Sequence, residues 1–366
     1  MTRTHDEHVM ARAVELARKG YGTTSPNPMV GAVIVKNGRV IGEGYHRRAG
    51  TPHAECHALR EAGARARGAT LYVTLEPCCH QGRTPPCVDA IVDAKIARVV
   101  VGMRDPNPLV NGRGNAALKR AGIAVSTGVR RDECQALNRP YEKLITQGVP
   151  YVILKAALSL DGKIATATGV SKWITRAASR KYVHELRRGV DAVMIGAGTL
   201  TCDDPALTAR RGNTCVKTPR AVVLDETLVS SDDARLFSRA PGELTVATTA
   251  RAPAEKIEAL RMRGHEVIVC AQDTHGRVAL RDLMRALGAR GVMSVLVEGG
   301  GEVFASVIAE RLADRVVACV APTFIGGEGK NMLPGMSIGT MDEAVHLEDV
   351  TIRTLGRDVV IEGNLK

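Results

Sequence analysis

The sequence predicts two α/β domains that meet near residue 148. The 366 residues are enough for two ordinary domains, helical and strand patterns alternate along the chain, and Gly148 and Pro150 interrupt this alternation once. We therefore expect one domain at residues 1–147 and a second at residues 150–366.

The elements of the first half follow from periodicity and turn signals. A helix is expected at 6–19, because Val9, Ala13, Leu16 and Ala17 share one face and Gly20 ends it. Apolar runs flanking Asn37-Gly38 predict a hairpin. Further elements are a helix from about Pro52, a strand at 70–75, a helix at 88–94, a strand at 97–102 and a helix at 115–122.

The second half restarts the same alternation on a larger scale. Apolar, β-branched runs predict strands at 151–158, 191–198, 220–225, 244–249, 265–270 and 293–301, with helical stretches between them. The sequence therefore indicates a second α/β domain of about two hundred residues, which is within the usual domain range.

Composition narrows the class of protein. The chain is 45% hydrophobic and has no run near the roughly 18–20 apolar residues that span a bilayer, so we expect no membrane association. The first twenty residues lack the apolar core of a secretory leader. Nine unevenly spread cysteines suit metal binding or packing in a reducing environment, which favours a cytoplasmic location.

Positive charge is concentrated in the first domain. Residues 1–148 hold 22 Lys and Arg against 13 Asp and Glu, within a net charge of +11 for the chain. This excess of positive charge suggests an anionic ligand, either a nucleic acid or a small phosphate ester. Because single-strand binders rely on aromatic platforms and aromatic residues make up only 3%, a small phosphate is favoured over a nucleic acid.

The strongest motif joins "HAE" (53–55) to "PCCHQGRTPPC" (77–87). One His and two Cys that hold zinc, with a glutamate two residues after the His, are typical of zinc nucleobase deaminases. The pattern predicts His53, Cys78 and Cys87 as zinc ligands and Glu55 as the proton shuttle, in a cytidine-deaminase-like α/β/α sandwich.

Alternatives remain open within this motif. Cys78 follows Pro77 as the pattern requires, while Cys79 is better explained as a packed thiol. Cys56 and His57 are expected to be bystanders. A purely structural zinc site is disfavoured, because such sites generally use four ligands and would leave Glu55 without a role.

Four segments, "TTSPNPMVGAVIV", "GYHRRAGTPHAE", "LEPCCHQGRTPPC" and "DPNPLVNGRG", resemble the amino-terminal half of the bifunctional riboflavin-biosynthesis deaminase/reductase family. The resemblance implies deamination of a diaminopyrimidinone that carries a ribosylamine 5′-phosphate. It also implies substrate contacts at Asn27, His46, His80 and Arg83, of which Arg83 suits the phosphate because a guanidinium matches its oxygens.

The second domain contains two glycine-rich turns after strands. "VEGGGEVFA" (297–305) leads from a strand into a helix, where backbone amides bind phosphate well. "GAGTLTCDDP" (196–205) has Thr201 where a dinucleotide fingerprint needs its third glycine, so a standard Rossmann domain is not expected.

These turns, with "LKAALSLDGKIA" and "SKWIT", resemble the reductase half of the same family, which is similar in fold to dihydrofolate reductase and uses NADPH. The resemblance implies cofactor contacts at Ala157, Trp173, Thr199, Asp203, Gly300, Gly301, Glu302, Val303, Phe304, Ala305 and Ser306. It implies substrate contacts at Lys155, Ser171, Arg187, Leu207, Arg210 and Glu298. Glu226 departs from the small polar residue that is usual there, so its cofactor contact is in question.

Two rival hypotheses follow from the same residues. The basic first half is also compatible with a nucleic-acid-editing or nucleoside deaminase carrying an accessory domain, although the reductase segments speak against it. The second rival hypothesis is a zinc-stabilised scaffold without activity, which the intact metal motif disfavours. The sequence leaves homo-oligomerisation and the transfer of intermediate between the sites open.

Overall fold

A computed structural model describes residues 3–81, 85–231 and 233–365. The chain forms two compact units, Met1–Gly148 and Val149–Lys366. The last helix of the first unit ends at Gly148, whose positive φ of 70° suits a glycine at a helix C-terminus.

The first unit is a five-stranded sheet with helices on both faces. Its helices are Arg3–Arg18 (α1), Ala54–Ala62 (α2), Cys87–Asp93 (α3), Arg113–Arg120 (α4) and Arg131–Gln147 (α5), and its strands are Gly31–Lys36 (β1), Arg39–Tyr45 (β2), Thr70–Leu75 (β3), Arg98–Met103 (β4) and Ala124–Thr127 (β5). The strand order is β2-β1-β3-β4-β5. β1 is antiparallel to both neighbours, whereas β3, β4 and β5 are parallel.

Two glycines show that α1 and α2 cover opposite faces of this sheet. A Cβ on Gly31 would lie 1.9 Å from the Ala13 carbonyl oxygen in α1, and a Cβ on Gly44 would lie 2.3 Å from the Ala54 carbonyl oxygen in α2. Gly44 pairs with Ala32, the residue after Gly31, and successive strand residues face opposite sides. The sheet is therefore a central layer, as the sequence predicted.

Two local predictions in this unit are confirmed, although the helix expected at 6–19 spans Arg3–Arg18 and β5 was not predicted. Val9, Ala13, Leu16 and Ala17 are all buried on α1. Asn37 and Gly38 have φ of 51° and 74°, the conformation of a two-residue hairpin turn.

The second unit is built on a nine-stranded sheet. Its helices are Ala177–Gly189 (α6), Ala197–Asp203 (α7), Ala254–Met262 (α8), Leu280–Ala289 (α9) and Gly301–Ala309 (α10). Its strands are Tyr151–Leu158 (β6), Lys163–Ala165 (β7), Ala192–Gly196 (β8), Ala209–Arg211 (β9), Thr214–Lys217 (β10), Arg220–Leu224 (β11), Leu244–Thr249 (β12), Glu266–Cys270 (β13), Ser294–Gly299 (β14), Arg315–Val320 (β15), Lys330–Asn331 (β16), Leu347–Leu355 (β17) and Asp358–Leu365 (β18).

The order of the large sheet is β13-β12-β11-β8-β14-β6-β15-β18-β17. It is parallel from β13 to β15, and β18 runs antiparallel to both of its neighbours. The carboxyl ends of the parallel strands thus share one edge, which is where ligands bind in open α/β sheets. The two-domain α/β fold class is confirmed.

No strand was predicted beyond residue 301, although β15, β17 and β18 complete the sheet. β17 has seven consecutive exposed residues, so no buried face imposes a period of two on its sequence. Among the described residues, no helix is both long and apolar enough to cross a membrane.

Candidate active sites

The first unit brings three metal-ligating side chains together. His53 stands immediately before α2, Cys78 follows β3, and Cys87 begins α3. The Nδ1 atom of His53 is 3.1 Å from Cys87 Sγ and 3.6 Å from Cys78 Sγ, and the three ligand atoms lie within 4.8 Å of one another. The Cys87 amide donates to Cys78 Sγ at 3.3 Å.

This geometry fits zinc. Tetrahedral zinc bonds of about 2.0–2.1 Å to nitrogen and 2.3 Å to sulfur place the two ligand atoms roughly 3.6 Å apart. The observed nitrogen–sulfur distances of 3.1 and 3.6 Å are close to that value. Hydrogen bonds from the Cys87 thiol and from His53 hold the pKa of Cys78 below its ordinary value, so this sulfur favours the thiolate form that binds metal.

Glu55 lies in the first turn of α2, two residues after His53, and is only 3% exposed. Burial raises the pKa of Glu55 to about 7, against the opposing effect of His53. A carboxyl group with a pKa near neutrality can both accept and release a proton, which is what general acid–base catalysis needs.

Asn27 and His46 form a hydrogen-bonded pair beside His53. The His46 ring packs edge-on against His53, with centroids 5.4 Å apart. Its Nδ1 lies 3.3 Å from the Pro52 carbonyl oxygen, and its Nε2 lies 3.1 Å from Asn27 Nδ2. Because the Asn27 amide nitrogen is a donor, Nε2 accepts and Nδ1 carries the proton, so His46 is neutral. Burial lowers the pKa of His46, in agreement with this assignment.

Two further substrate residues are predicted in this unit, His80 and Arg83. His80 is half-buried, and its Nδ1 is buried without a hydrogen-bond partner among the described residues. Arg83 lies outside the described residues. Cys79 packs against the hydrophobic core, whereas Cys56 is half-buried beside the cluster.

Glu76 was not predicted as a functional residue. This buried carboxylate accepts hydrogen bonds from the backbone amides of Asp105, Gly112 and Asn115 at 2.9–3.3 Å. Its position in the sequence could have identified it, because a carboxylate between a buried strand and the Pro77-Cys78 pair needs hydrogen-bond partners inside the protein.

The second unit contains a cavity of about 980 Å³ at the carboxyl ends of its parallel strands. It collects most of the residues predicted for the reductase: Lys155, Ala157, Ser171, Trp173, Arg187, Thr199, Asp203, Leu207, Glu298, Gly300, Gly301, Glu302, Val303, Phe304 and Ser306. Glu226 also lines it. This volume is at the upper end of the range for small-molecule and cofactor sites.

Two predicted residues do not line this cavity. Ala305 is buried and does not line the cavity, although its neighbours Phe304 and Ser306 do. Arg210 is exposed on β9 and donates from Nε to Thr208 Oγ1 at 3.1 Å.

Arg187 and Glu298 form a bidentate ion pair in the cavity wall. Arg187 donates from Nε and Nη2 to the two oxygens of Glu298 at 2.5 and 2.8 Å, and from Nη1 to the Thr208 carbonyl at 3.1 Å. Burial alone would raise the pKa of Glu298, but Arg187 outweighs it and holds that pKa below its ordinary value. The guanidinium is therefore engaged on all three nitrogens in this arrangement.

The turn between β14 and α10 is suited to a phosphate. Gly300 precedes α10 with a φ of 89°, and a Cβ on Gly299 would lie 2.8 Å from the side chain of Thr199. Only glycine permits this close approach of the turn to α7. The exposed amides at the start of α10 then face the cavity, where they favour an anion.

Ser171, Asp203 and Trp173, three further predicted residues of the cavity wall, are held by side-chain contacts. Ser171 donates to Asp203 Oδ1 at 2.9 Å, and Lys172 donates to the Asp203 carbonyl at 2.8 Å. Trp173 is 70% exposed in the cavity wall, and the Arg180 guanidinium stacks 4.5 Å from its ring centroid. An exposed aromatic face of this kind is available for a planar ligand.

His184 lines the cavity and was not predicted. Its Nδ1 lies 3.1 Å from the Thr208 carbonyl oxygen, which also accepts from Arg187. The spacing of three residues to Arg187 on one helix was the signal that could have identified it.

Two family models match successive parts of the chain. Residues 3–103 match the model described as cytidine and deoxycytidylate deaminase zinc-binding region, and residues 150–361 match the RibD C-terminal domain. The chain belongs to the RibD family of riboflavin biosynthesis proteins. The RibD of Aquifex aeolicus is 43% identical over 361 residues, covering 99% of each protein, and that of Escherichia coli is 41% identical over 369 residues, covering 97% of this chain and 98% of its own.

Solved structures of RibD proteins agree over the whole length. The Acinetobacter baumannii RibD has a TM-score of 0.92 at 37% identity, covering 100% of both chains. A diaminohydroxyphosphoribosylaminopyrimidine deaminase/5-amino-6-(5-phosphoribosylamino)uracil reductase from Thermotoga maritima has a TM-score of 0.87 at 36% identity, covering 100% of this chain and 99% of its own. The predicted family and its paired deaminase and reductase domains are confirmed.

Proposed function

We propose that this chain catalyses two consecutive steps of riboflavin biosynthesis. The first unit removes an amino group from 2,5-diamino-6-ribosylamino-4(3H)-pyrimidinone 5′-phosphate by zinc-dependent hydrolysis. The second unit then reduces the ribosyl side chain to ribityl with NADPH. The observation that carries the proposal is the cluster of His53, Cys78 and Cys87 beside the buried carboxyl group of Glu55.

In the deaminase, His53, Cys78 and Cys87 would hold zinc through one nitrogen and two sulfurs, and three protein ligands are the number that zinc enzymes use when the metal also binds water. Bound zinc supplies the Lewis acidity that lowers the pKa of that water. Glu55 would take one proton from the water and deliver it to the ring nitrogen. It would then carry a second proton, from the hydroxyl group added at the ring carbon, to the departing amine, which leaves as ammonia.

Neighbouring residues orient the pyrimidine. Asn27 is held by His46, so its carbonyl oxygen is directed by a fixed partner. His80 offers a buried ring nitrogen that a ligand can satisfy. Arg83 is assigned to the 5′-phosphate on the basis of its guanidinium chemistry.

In the reductase, NADPH would supply a hydride to the sugar carbon that bonds the amine. In the ring-opened imine form of the sugar, the C=N double bond then becomes a single bond and the nitrogen takes up a proton. The amides at the start of α10 and the side chains of Thr199 and Asp203 hold the cofactor, while Trp173 offers a face for stacking. Lys155 and Glu298 bind the sugar hydroxyl groups, and Arg187 keeps Glu298 ionised and oriented.

We also infer a cytoplasmic location. None of the nine cysteines forms a disulfide, and cysteine-rich chains without disulfides are typical of a reducing compartment.

A paired assay tests the proposal. The purified protein is given the diaminopyrimidinone substrate with NADPH, and ammonia and NADPH are followed separately. We expect ammonia release to precede NADPH oxidation, because the second unit acts on the deaminated compound. Zinc-loaded protein that yields neither signal would contradict the assignment of substrate.

A further inference from the structure

Glu76 occupies an unusual position in the first unit. It follows β3 directly, is 3% exposed, and receives no side-chain cation within hydrogen-bonding distance among the described residues. Its Oε1 accepts from the Asn115 amide at 2.9 Å, and its Oε2 accepts from the amides of Gly112 and Asp105 at 3.0 and 3.3 Å. Three amide donors compensate for the burial of the carboxylate.

These three amides belong to one structural feature. Asp105 lies in the connection after β4, Gly112 is the residue before α4, and Asn115 lies in the first turn of α4. Gly112 has no side chain with which to cap the helix, and Glu76 takes over that role from a distant part of the chain. The carboxylate therefore fastens the end of β3 to α4 and to the connection that precedes it.

The same short segment carries a metal ligand. Only Pro77 separates Glu76 from Cys78, and the pyrrolidine ring removes one backbone rotation. Gly114 packs against this segment so closely that a Cβ there would lie 2.1 Å from the Pro77 carbonyl oxygen. The chain leading to Cys78 is thus held by the Glu76 carboxylate on one side and by the backbone of α4 on the other.

We propose that Glu76 is a positioning residue of the deaminase: its bonds to the connection after β4 and to α4 hold Cys78 at ligand distance from His53 and Cys87. The inference rests on the proposed zinc role of these three residues. Loss of the hydrogen bonds to Glu76 frees the Pro77-Cys78 segment, which weakens metal binding without removing any ligand.

Glu76→Gln is the direct test. It keeps the shape of the side chain but turns an NH₂ group toward amide donors, so at least one of the three hydrogen bonds is lost. We expect the dissociation constant for zinc, measured in the full chain by competition with a chelator, to rise about ten- to hundredfold, the effect typical of residues supporting metal ligands. In cobalt-substituted protein, we expect the thiolate-to-cobalt absorption to change.

Asp6→Asn is the matched control. Asp6 is also a buried carboxylate of the first unit, held by Arg98 and Tyr72, and it belongs to α1 rather than to the metal site. This variant should lower the melting temperature but leave zinc affinity within about twofold of wild type, as expected for distant, independent sites. Reduction of the deaminated substrate by the same chain should be unchanged in both variants.

Glu76→Gln with wild-type zinc affinity and an unchanged cobalt spectrum would overturn the inference. Should that variant fail to fold, Gly114→Ala decides the question, because it displaces Pro77 without altering the carboxylate. We expect Gly114→Ala to bind zinc more weakly. Unchanged zinc binding in this variant would overturn the inference. Cys78→Ser separates the two proposals. Retention of wild-type zinc affinity by that variant would remove the ligand assignment itself, and with it the basis of this inference.

Discussion

At the scale of single residues, the adjacent cysteines 78 and 79 provide a direct comparison. Cys78 Sγ lies among the ligand atoms, whereas Cys79 packs against the core and burial raises the pKa of its thiol. We expect Cys78→Ser to lose zinc and ammonia release, and Cys79→Ser to retain both. Metal content and deamination measured on the two proteins check this, and zinc loss from Cys79→Ser alone would reverse the assignment.

Arg187 is predicted to act through Glu298. Removal of the guanidinium in Arg187→Ala leaves a buried carboxylate without its partner, at a cost of about 3–5 kcal/mol in the free energy of unfolding. The pKa of Glu298 should rise, because the cation that holds it down is gone.

Urea denaturation and the pH dependence of NADPH oxidation measure these effects. Arg188→Ala is the control, since Arg188 makes a partly exposed ion pair with Glu185 in the same helix. A loss of stability that is equal in the two variants would contradict a special role for Arg187.

At the scale of elements, the fit of α2 against β2 places His53 and Glu55. A Cβ on Gly44 would lie 2.3 Å from the Ala54 carbonyl and 2.7 Å from the Ala58 amide nitrogen, so Gly44→Ala must displace the helix. We expect a loss of about 1–3 kcal/mol in stability, the usual effect of overpacking, together with reduced deamination.

Gly38→Ala is the matched change in the same hairpin. Gly38 has a positive φ of 74° but nothing within 4 Å of its Cβ position, so alanine strains the turn without moving α2. Thermal unfolding combined with an ammonia assay distinguishes the two. Equal loss of deamination in both variants would show that hairpin stability, not the position of α2, controls the site.

The sequence predicted strands well where both faces of the strand are buried. β3, β6 and β12 have the predicted bounds, because each is a short run rich in apolar and β-branched residues inside the sheet. The site motif was equally readable, since His53, Cys78 and Cys87 combine ligand types and spacing that few other functions need. Two features could not be predicted from the sequence. β17 has no buried face that would shape its pattern, and the ion pair of Arg187 with Glu298 joins residues 111 positions apart.

At the scale of the whole molecule, the two units carry separate chemistry in one chain. The metal cluster lies within the first unit and the reductase cavity within the second. We expect a chelator to abolish ammonia release while NADPH oxidation with supplied deaminated substrate continues. Parallel assays before and after zinc is restored measure this, and loss of reduction that zinc restores would show that the second unit depends on the metal.

The most direct test of the account is Glu55→Gln, assayed for both reactions in zinc-loaded protein. Glutamine keeps the shape of the side chain but cannot transfer the proton, so deamination should fall by about 10²–10⁴-fold, the usual contribution of a general acid–base. Bound zinc and reduction of the deaminated substrate should remain at wild-type levels. Ammonia release at the wild-type rate from this variant would contradict the proposed mechanism.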